Sequence, residues 1–351
     1  MILLKVLFYK YNKNGIMVKI GGDENMKKNS KIIFGLLVAF SMVFVIVGCS
    51  KKEEVNTLKK EISFIAPNGV PATAISKMIK ENIQIDDNYN INYSIENTSD
   101  TLATSVMKGE PDIAIVPSNL AAQAYNKGLG YKLVGTTGLG ALYLISTEND
   151  IDLNELSGKE VYNIGSGLTP DIVFKALLKE SGINDVTLSY VGGPTELAPA
   201  ILGGKAKYAV VPEPTLTTIL NKNPNIKVIA SLNDLWKEKF NSESGFPQAS
   251  LIVKETLINE DKDFINKLIE EVSNSINWVN KNNKEAATYS IENGSQVDEA
   301  IIEKSISNSS IIFINAKDNK ADYIDYYKVL EKENAKSIGD KIPDESFFYE
   351  R

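Results

Sequence analysis

The chain has 351 residues, 43% of them apolar and 24% charged, with a formal net charge of −7, a composition that suits a globular protein of one to three domains. It contains no histidine, a single cysteine and a single arginine, the terminal Arg351. These absences exclude Ser-His and Cys-His nucleophilic pairs, histidine metal ligands, an intramolecular disulfide and a buried guanidinium clamp for phosphate or carboxylate.

Met26 to Lys31 is a short basic stretch, followed by an apolar run from Ile32 to Val47 that ends in Ile46-Val47-Gly48-Cys49. The run is short for a spanning helix, which needs about 20 residues, and suits the apolar core of a signal peptide. Ile-Val-Gly-Cys resembles the bacterial lipoprotein box, so residues 1–48 are expected to be removed and Cys49 to carry lipid. Residues 1–25 precede the natural start at Met26 and are expected to come from an upstream start codon. Removing residues 1–48 takes away seven lysines and two acids and leaves 31 basic and 43 acidic residues, net −12. Such an acidic, arginine-poor chain is not built for nucleic acid. Residues 49–60 read as a charged tether.

From Glu61 the pattern alternates strand and helix. Strands are predicted at 61–66, 90–96, 112–116, 132–135 and 141–146, with helices at 72–82, 101–108 and 119–126. A second set follows, with strands at 160–164, 186–191, 209–211 and 226–230 and helices at 170–180, 194–202 and 215–221. Strands separated by helices of this length imply βαβ units and parallel sheets. The tail is richer in helix. After a strand at 249–253, an amphipathic helix is predicted at 263–280, with Phe264, Ile265, Leu268, Ile269, Val272, Ile276 and Val279 on one stripe. Further helices are expected at 284–292, 297–306 and 322–332, the last a surface helix with one buried stripe. These elements give an α/β protein with lobe 1 at 61–147 plus 249–351 and lobe 2 at 148–248, the chain crossing near Ser146–Asp150 and near Gly245–Ala249.

Two segments repeat a construction. In GEPDIAIVPSNL the buried strand stops at Val116-Pro117-Ser118-Asn119, and in GKAKYAVVPEPTL it stops at Val211-Pro212-Glu213-Pro214. Ligands of parallel α/β sheets bind outside the carboxyl ends of the strands, where helix N-termini offer free N–H groups and a positive dipole end. The candidate ligand contacts are therefore Asn68, Gly69, Thr98, Ser118, Asn119, Ser166, Gly167, Thr169, Gly193 and Glu213. Glu213 disfavours an anion nearby and favours an amine or an aminopyrimidine; as a bare structural group it caps the helix after it. Tyr125, Tyr143, Tyr162, Tyr190 and Trp236 are either stacking surfaces or core. No carboxylate cluster has metal-ligand spacing, and Gly165-Ser166-Gly167 lacks the third glycine of a dinucleotide fingerprint. No metal or other cofactor is expected.

In order along the chain, the lipobox, the tether, ISFIAPNGVPATAI, GEPDIAIVPSNLAAQAY, LSGKEVYNIGSGLTPDIVFKALL and GGKAKYAVVPEPTLTTIL resemble the substrate-binding lipoproteins of ABC importers, of the sulfonate, taurine, nitrate and thiamine-precursor type. The resemblance covers nearly all of residues 60–290. It implies the type II periplasmic-binding-protein-like fold, two doubly wound sheets joined by crossing hinge strands, with the C-terminal helices in the first lobe and a small molecule held between the lobes. It also implies a monomer, not an enzyme, lipid-anchored on the extracytoplasmic face of the cell membrane, that delivers its ligand to permease and ATPase subunits. Members that bind anions often use Arg or Lys in the cleft, and here no interior Arg exists. Two alternatives stand beside it. One is an enzyme on the same scaffold acting on a small pyrimidine- or carboxylate-like substrate, as in a pyrimidine synthase or a menaquinone-pathway lyase; the synthase needs a histidine and a cysteine cluster that this chain lacks. The other is a ligand-sensing lipoprotein.

Overall fold

The computed structural model describes residues 59–148 and 151–351, and the backbone of two short strands before them. The expected signal peptide, Cys49 and the tether up to residue 58 lie outside the described residues. The chain divides into two compact units, Met1–Thr57 and Leu58–Arg351. The first holds β1 (Tyr9–Tyr11) paired antiparallel with β2 (Met17–Lys19). All other described elements belong to the second.

That second unit contains two sheets. The six-stranded sheet is built from β3 (Lys60–Pro67), β4 (Tyr89–Glu96), β5 (Ile113–Pro117), β6 (Tyr131–Leu139), β12 (Pro247–Lys254) and β13 (Ile311–Asn315), in the order β13-β6-β12-β5-β3-β4. The five-stranded sheet is built from β7 (Leu142–Ser146), β8 (Glu160–Ile164), β9 (Thr187–Val191), β10 (Tyr208–Pro212) and β11 (Lys227–Ser231), in the order β11-β7-β10-β8-β9. Each sheet has the same centre. Three parallel strands, β4-β3-β5 or β9-β8-β10, carry one antiparallel strand beside the third, β12 against β5 and β7 against β10.

The antiparallel strands are where the chain changes sheet. It leaves the first across Gly140–Ala141, between β6 and β7, and returns across residues 241–246 into β12. The outward crossing therefore comes before the strand Leu142–Ser146, not after it near Ser146–Asp150. This strand reads as the last of the first set because it follows β6 by only two residues. Its register, Tyr208↔Ser146 to Pro212↔Leu142, pairs it with the second sheet. The two crossings touch: Gly140 N–H donates to the Phe246 carbonyl at 3.1 Å. A Cβ at Gly140 would lie 2.1 to 2.8 Å from carbons of the Phe246 ring, so only glycine lets the segments approach this closely.

Strand residues alternate between two buried faces, which is why β5 and β10 read as unbroken apolar runs. Ala114, Val116, Tyr208 and Val210 point into one cluster that continues across both sheets through Trp236, Phe246, Tyr323, Tyr326 and Tyr327. Ile113 and Ile115 face a second cluster with Phe264, Ile265, Leu268 and Val272. Ala209 and Val211 face a third with Leu197, Ile201 and Ile219.

The helices are α1 (Val70–Ala74), α2 (Ser76–Lys80), α3 (Ser99–Met107), α4 (Ser118–Asn126), α5 (Thr169–Glu180), α6 (Pro194–Leu202), α7 (Thr215–Lys222), α8 (Leu232–Phe240), α9 (Glu255–Glu260), α10 (Lys262–Lys281), α11 (Asn283–Glu292), α12 (Glu299–Ser305) and α13 (Lys320–Asn334). The amphipathic helix expected at 263–280 is α10, with its seven stripe residues buried. In the second unit α8, α9 and β13 have no counterpart among the strands and helices read from sequence. Helix α13 buries one stripe, Asp322, Tyr323, Tyr326, Tyr327 and Leu330, and touches both halves. Its Asp322 carboxylate accepts from Ser242 Oγ at 2.8 Å, from Ser244 N–H at 3.1 Å and from Ser244 Oγ, which holds the returning crossing. Asn334 Nδ2 donates to the Gly167 carbonyl at 3.3 Å in the second half.

Candidate functional site

A cavity of about 420 Å³ lies between the two sheets, a size that suits a small organic molecule. One wall comes from the β3–α1 loop with Asn68 and Gly69, from Gly138 and Leu139 at the end of β6, and from the start of β12 with Gln248 and Ala249. The facing wall is Pro212, Glu213, Pro214 and Thr215 after β10, with Ala141 and Pro194. Gln296 and Val297, from the loop between α11 and α12, and Ser309, from the turn before β13, close the side.

Three of the ten expected contacts, Asn68, Gly69 and Glu213, line this space. Asn68 is held by its neighbours: its Oδ1 accepts from Gly69 N–H at 2.8 Å and its Nδ2 donates to Asn97 Oδ1 at 3.2 Å. Glu213 is 6% exposed. Its Oε2 accepts from Thr217 N–H at 3.1 Å and its Oε1 from Thr217 Oγ1 at 2.9 Å, so it caps the first turn of α7. Hydrogen bonds from Thr217 favour the carboxylate, and burial opposes it. Burial wins, and the pKa of Glu213 stands above the ordinary glutamate range. The nearby Tyr143 phenol, which donates to the Asn308 carbonyl at 2.6 Å, is pushed up to about 12 by burial first and by the Glu213 charge second.

The Ala141 peptide links the hinge to the site. Its N–H donates to Gln248 Oε1 at 2.9 Å, and its carbonyl accepts from Glu213 N–H at 3.1 Å. Gln248 therefore reaches from the returning strand to the outgoing crossing, and both flank the cavity.

The other seven expected residues lie elsewhere. Thr98 is an exposed N-cap, its Oγ1 accepting from Thr101 N–H at 3.1 Å. Ser118 is 1% exposed, with its Oγ 2.7 Å from Ser250 Oγ in a buried chain that runs on to Tyr323 and Thr136. Asn119 Nδ2 donates to the Ser337 carbonyl at 3.3 Å. Ser166 is exposed, while Gly167 donates its N–H to Asp171 Oδ2 at 2.7 Å and Thr169 Oγ1 sits 3.4 Å from Tyr326 Oη. Gly193 lies one residue before the cavity-lining Pro194. For Ser118, Asn119, Gly167 and Thr169 the physical reason is α13, which packs over their junctions: Tyr327 donates to the Ser118 carbonyl, Asn334 to the Gly167 carbonyl, Thr169 meets Tyr326, and Asn119 donates to the segment after the helix. Four polar residues of the cavity, Thr215, Gln248, Gln296 and Ser309, were not singled out from sequence. Thr215 follows Pro214 and could have been found by extending the repeated junction two residues; the other three carry no local signal.

Among the described residues no group of three or more His, Cys, Asp or Glu side chains is placed to hold a metal. No curated protein matches the chain. Among solved structures, an ABC transporter from Parabacteroides distasonis is 26% identical with a TM-score of 0.72, covering 84% of this chain and 100% of that one. The periplasmic aliphatic sulphonate binding protein SsuA from Escherichia coli is 11% identical with a TM-score of 0.66, covering 83% of this chain and 92% of its own. The periplasmic nitrate-binding protein NrtA from Synechocystis is 11% identical with a TM-score of 0.54, covering 80% and 81%. The two-sheet α/β architecture is thus that of the periplasmic-binding-protein-like fold. A family model described as menaquinone biosynthesis, VitK2_biosynth, matches residues 81–317, and with well over half of its length matched the chain belongs to that family.

Proposed function

We propose that this protein is a solute-binding component of an ABC importer. It captures a small molecule in the cavity between its two sheets and presents it, as a monomer, to permease and ATPase subunits. The observation that carries this reading is the relation of cavity to hinge. The walls come from both sheets, Ala141 belongs at once to the outgoing crossing and to the lining, and the lining residue Gln248, at the start of the returning strand, bonds it. Movement of one sheet against the other changes the cavity directly, which is what ligand-driven closure requires. The ABC transporter of Parabacteroides distasonis, which the chain covers in full, supports the same reading. The lipobox at Cys49 supports lipid anchoring on the extracytoplasmic face. Metabolic labelling with a tagged fatty acid should mark the wild type and spare Cys49→Ser.

The family match favours a second reading, an enzyme on this scaffold. The chain offers such chemistry little, since it has no histidine and the one ionisable cavity residue among the described residues, Glu213, is engaged by Thr217. Mass spectrometry separates the two readings. A binding protein returns its bound compound unchanged after prolonged incubation, and conversion of that compound would establish an enzyme.

A further inference from the structure

The charge of the cavity identifies the class of its ligand, an inference that rests on the solute-binding reading. Among the described residues Glu213 is its single ionisable residue, and no lysine or arginine lines it. The carboxylate is more than nine-tenths buried, and its hydrogen-bond partners on Thr217 are uncharged. A buried charge without a counter-ion is costly, and a hydroxyl or amide side chain would cap α7 as well. Something that enters the cavity can supply the missing opposite charge.

The donors that would hold an anion are depleted. An anion site on helix N-termini needs free N–H groups. The helix starts at this rim carry Pro71, Pro194 and Pro214, none of which has an N–H. The Thr217 amide of α7 is already donated to Glu213, and the Gly192 amide before α6 is donated to Glu196 Oε2 at 2.9 Å. Glu213 also occupies the positive end of α7, where an anion would otherwise be drawn. An incoming sulfonate or carboxylate would meet like charge and few donors. An ammonium group would meet a desolvated carboxylate, with Asn68 and Gln248 beside it as neutral partners.

We infer that the ligand is a small organic cation whose positive nitrogen pairs with Glu213. The test uses the full chain and yeast extract separated by ion exchange into cationic, neutral and anionic small-molecule fractions. The cationic fraction should raise the melting temperature. Its active compound should bind Glu213→Gln at least tenfold more weakly, while the ligand-free variant melts no lower than the wild type. Should Glu213→Gln fold poorly, Gln296→Lys serves in its place. It adds a positive charge at an exposed cavity residue, leaves the Glu213 cap intact and should weaken the same compound at least tenfold. A rise only with the anionic or neutral fraction overturns the ligand class and leaves the solute-binding reading standing. No rise with any fraction overturns both.

Discussion

The two Val-Pro junctions start from one construction and end in different places. Both close a central strand buried on both faces, and both lie beside the antiparallel strand of a crossing, Pro117 opposite Ala249 and Pro212 opposite Leu142. After Val116-Pro117, the Ser118 hydroxyl enters a buried polar chain and the Tyr327 hydroxyl donates to its carbonyl at 2.9 Å. After Val211-Pro212, Glu213 and Thr215 face an open cavity. The difference is made by α13, which covers the first junction and leaves the second free. A repeated local motif therefore does not assign a repeated role; the element packed over it decides.

The comparison predicts that substitutions at the covered junction cost stability and those at the open one cost binding. The largest effect is expected for Tyr327→Ala, which removes the fully buried α13 ring whose hydroxyl donates to the Ser118 carbonyl. Emptying a large aromatic site costs about 3–5 kcal/mol, read as a fall in the urea midpoint at unchanged slope. A loss under about 1 kcal/mol would show that α13 does not seal the first junction. Gly140→Ala comes next. Its methyl group must displace the Phe246 ring, and overpacking of this kind costs about 1–3 kcal/mol in the same urea experiment.

Single polar groups give smaller effects, and they sharpen the contrast. Ser118→Ala should lower stability by about 1 kcal/mol and leave affinity for the cationic-fraction compound unchanged. Asn68→Ala should do the reverse, with affinity falling about tenfold in calorimetry and little change in the ligand-free melt. Equal affinity losses in both variants would place Ser118 in the cavity beside Asn68 and dissolve the distinction.

The smallest effect is a slope with pH. Burial raises the Glu213 pKa, so the native state keeps this proton at pH values where the unfolded chain has lost it. The stability that the protonated group contributes is fully present below the ordinary glutamate range and is lost as pH rises through the raised native value. Tyr143, the titratable neighbour, stays neutral throughout, its pKa being about 12. Glu213→Gln removes this slope, so the urea midpoint of the variant should gain on the wild type as pH rises from the acidic range to neutrality. A difference that stays constant, or a variant that loses ground to the wild type as pH rises, would mean that hydrogen bonds outweigh burial at Glu213.

Period and punctuation explain how much of this was legible. The apolar runs of β5 and β10 and the stripe of α10 depend only on neighbours in sequence, so the α/β architecture could be read directly. Asn68, Gly69 and Glu213, which line the cavity, were legible because they stand in loops after parallel strands, where ligands bind in general. Strand β13 was not, since its partner β6 lies some 170 residues earlier and Ile311–Asn315 offers only a short apolar run after a serine-rich stretch. The covering of Ser118 and Thr169 was hidden for the same reason. The tyrosines at 323, 326 and 327 announce a buried stripe, but the spacing does not say which surface they bury. Gln248 likewise acquires its role only when the Ala141 peptide arrives beside it.

The rim prolines have a spectroscopic consequence. Pro71, Pro194, Pro212 and Pro214 give no amide signal, so much of the cavity lip is silent in amide-detected magnetic resonance and in hydrogen–deuterium exchange. The methyl groups of Val70, Leu139 and Val297 line the same space, and isotope-labelled methyl spectra are the natural reporters of what enters it.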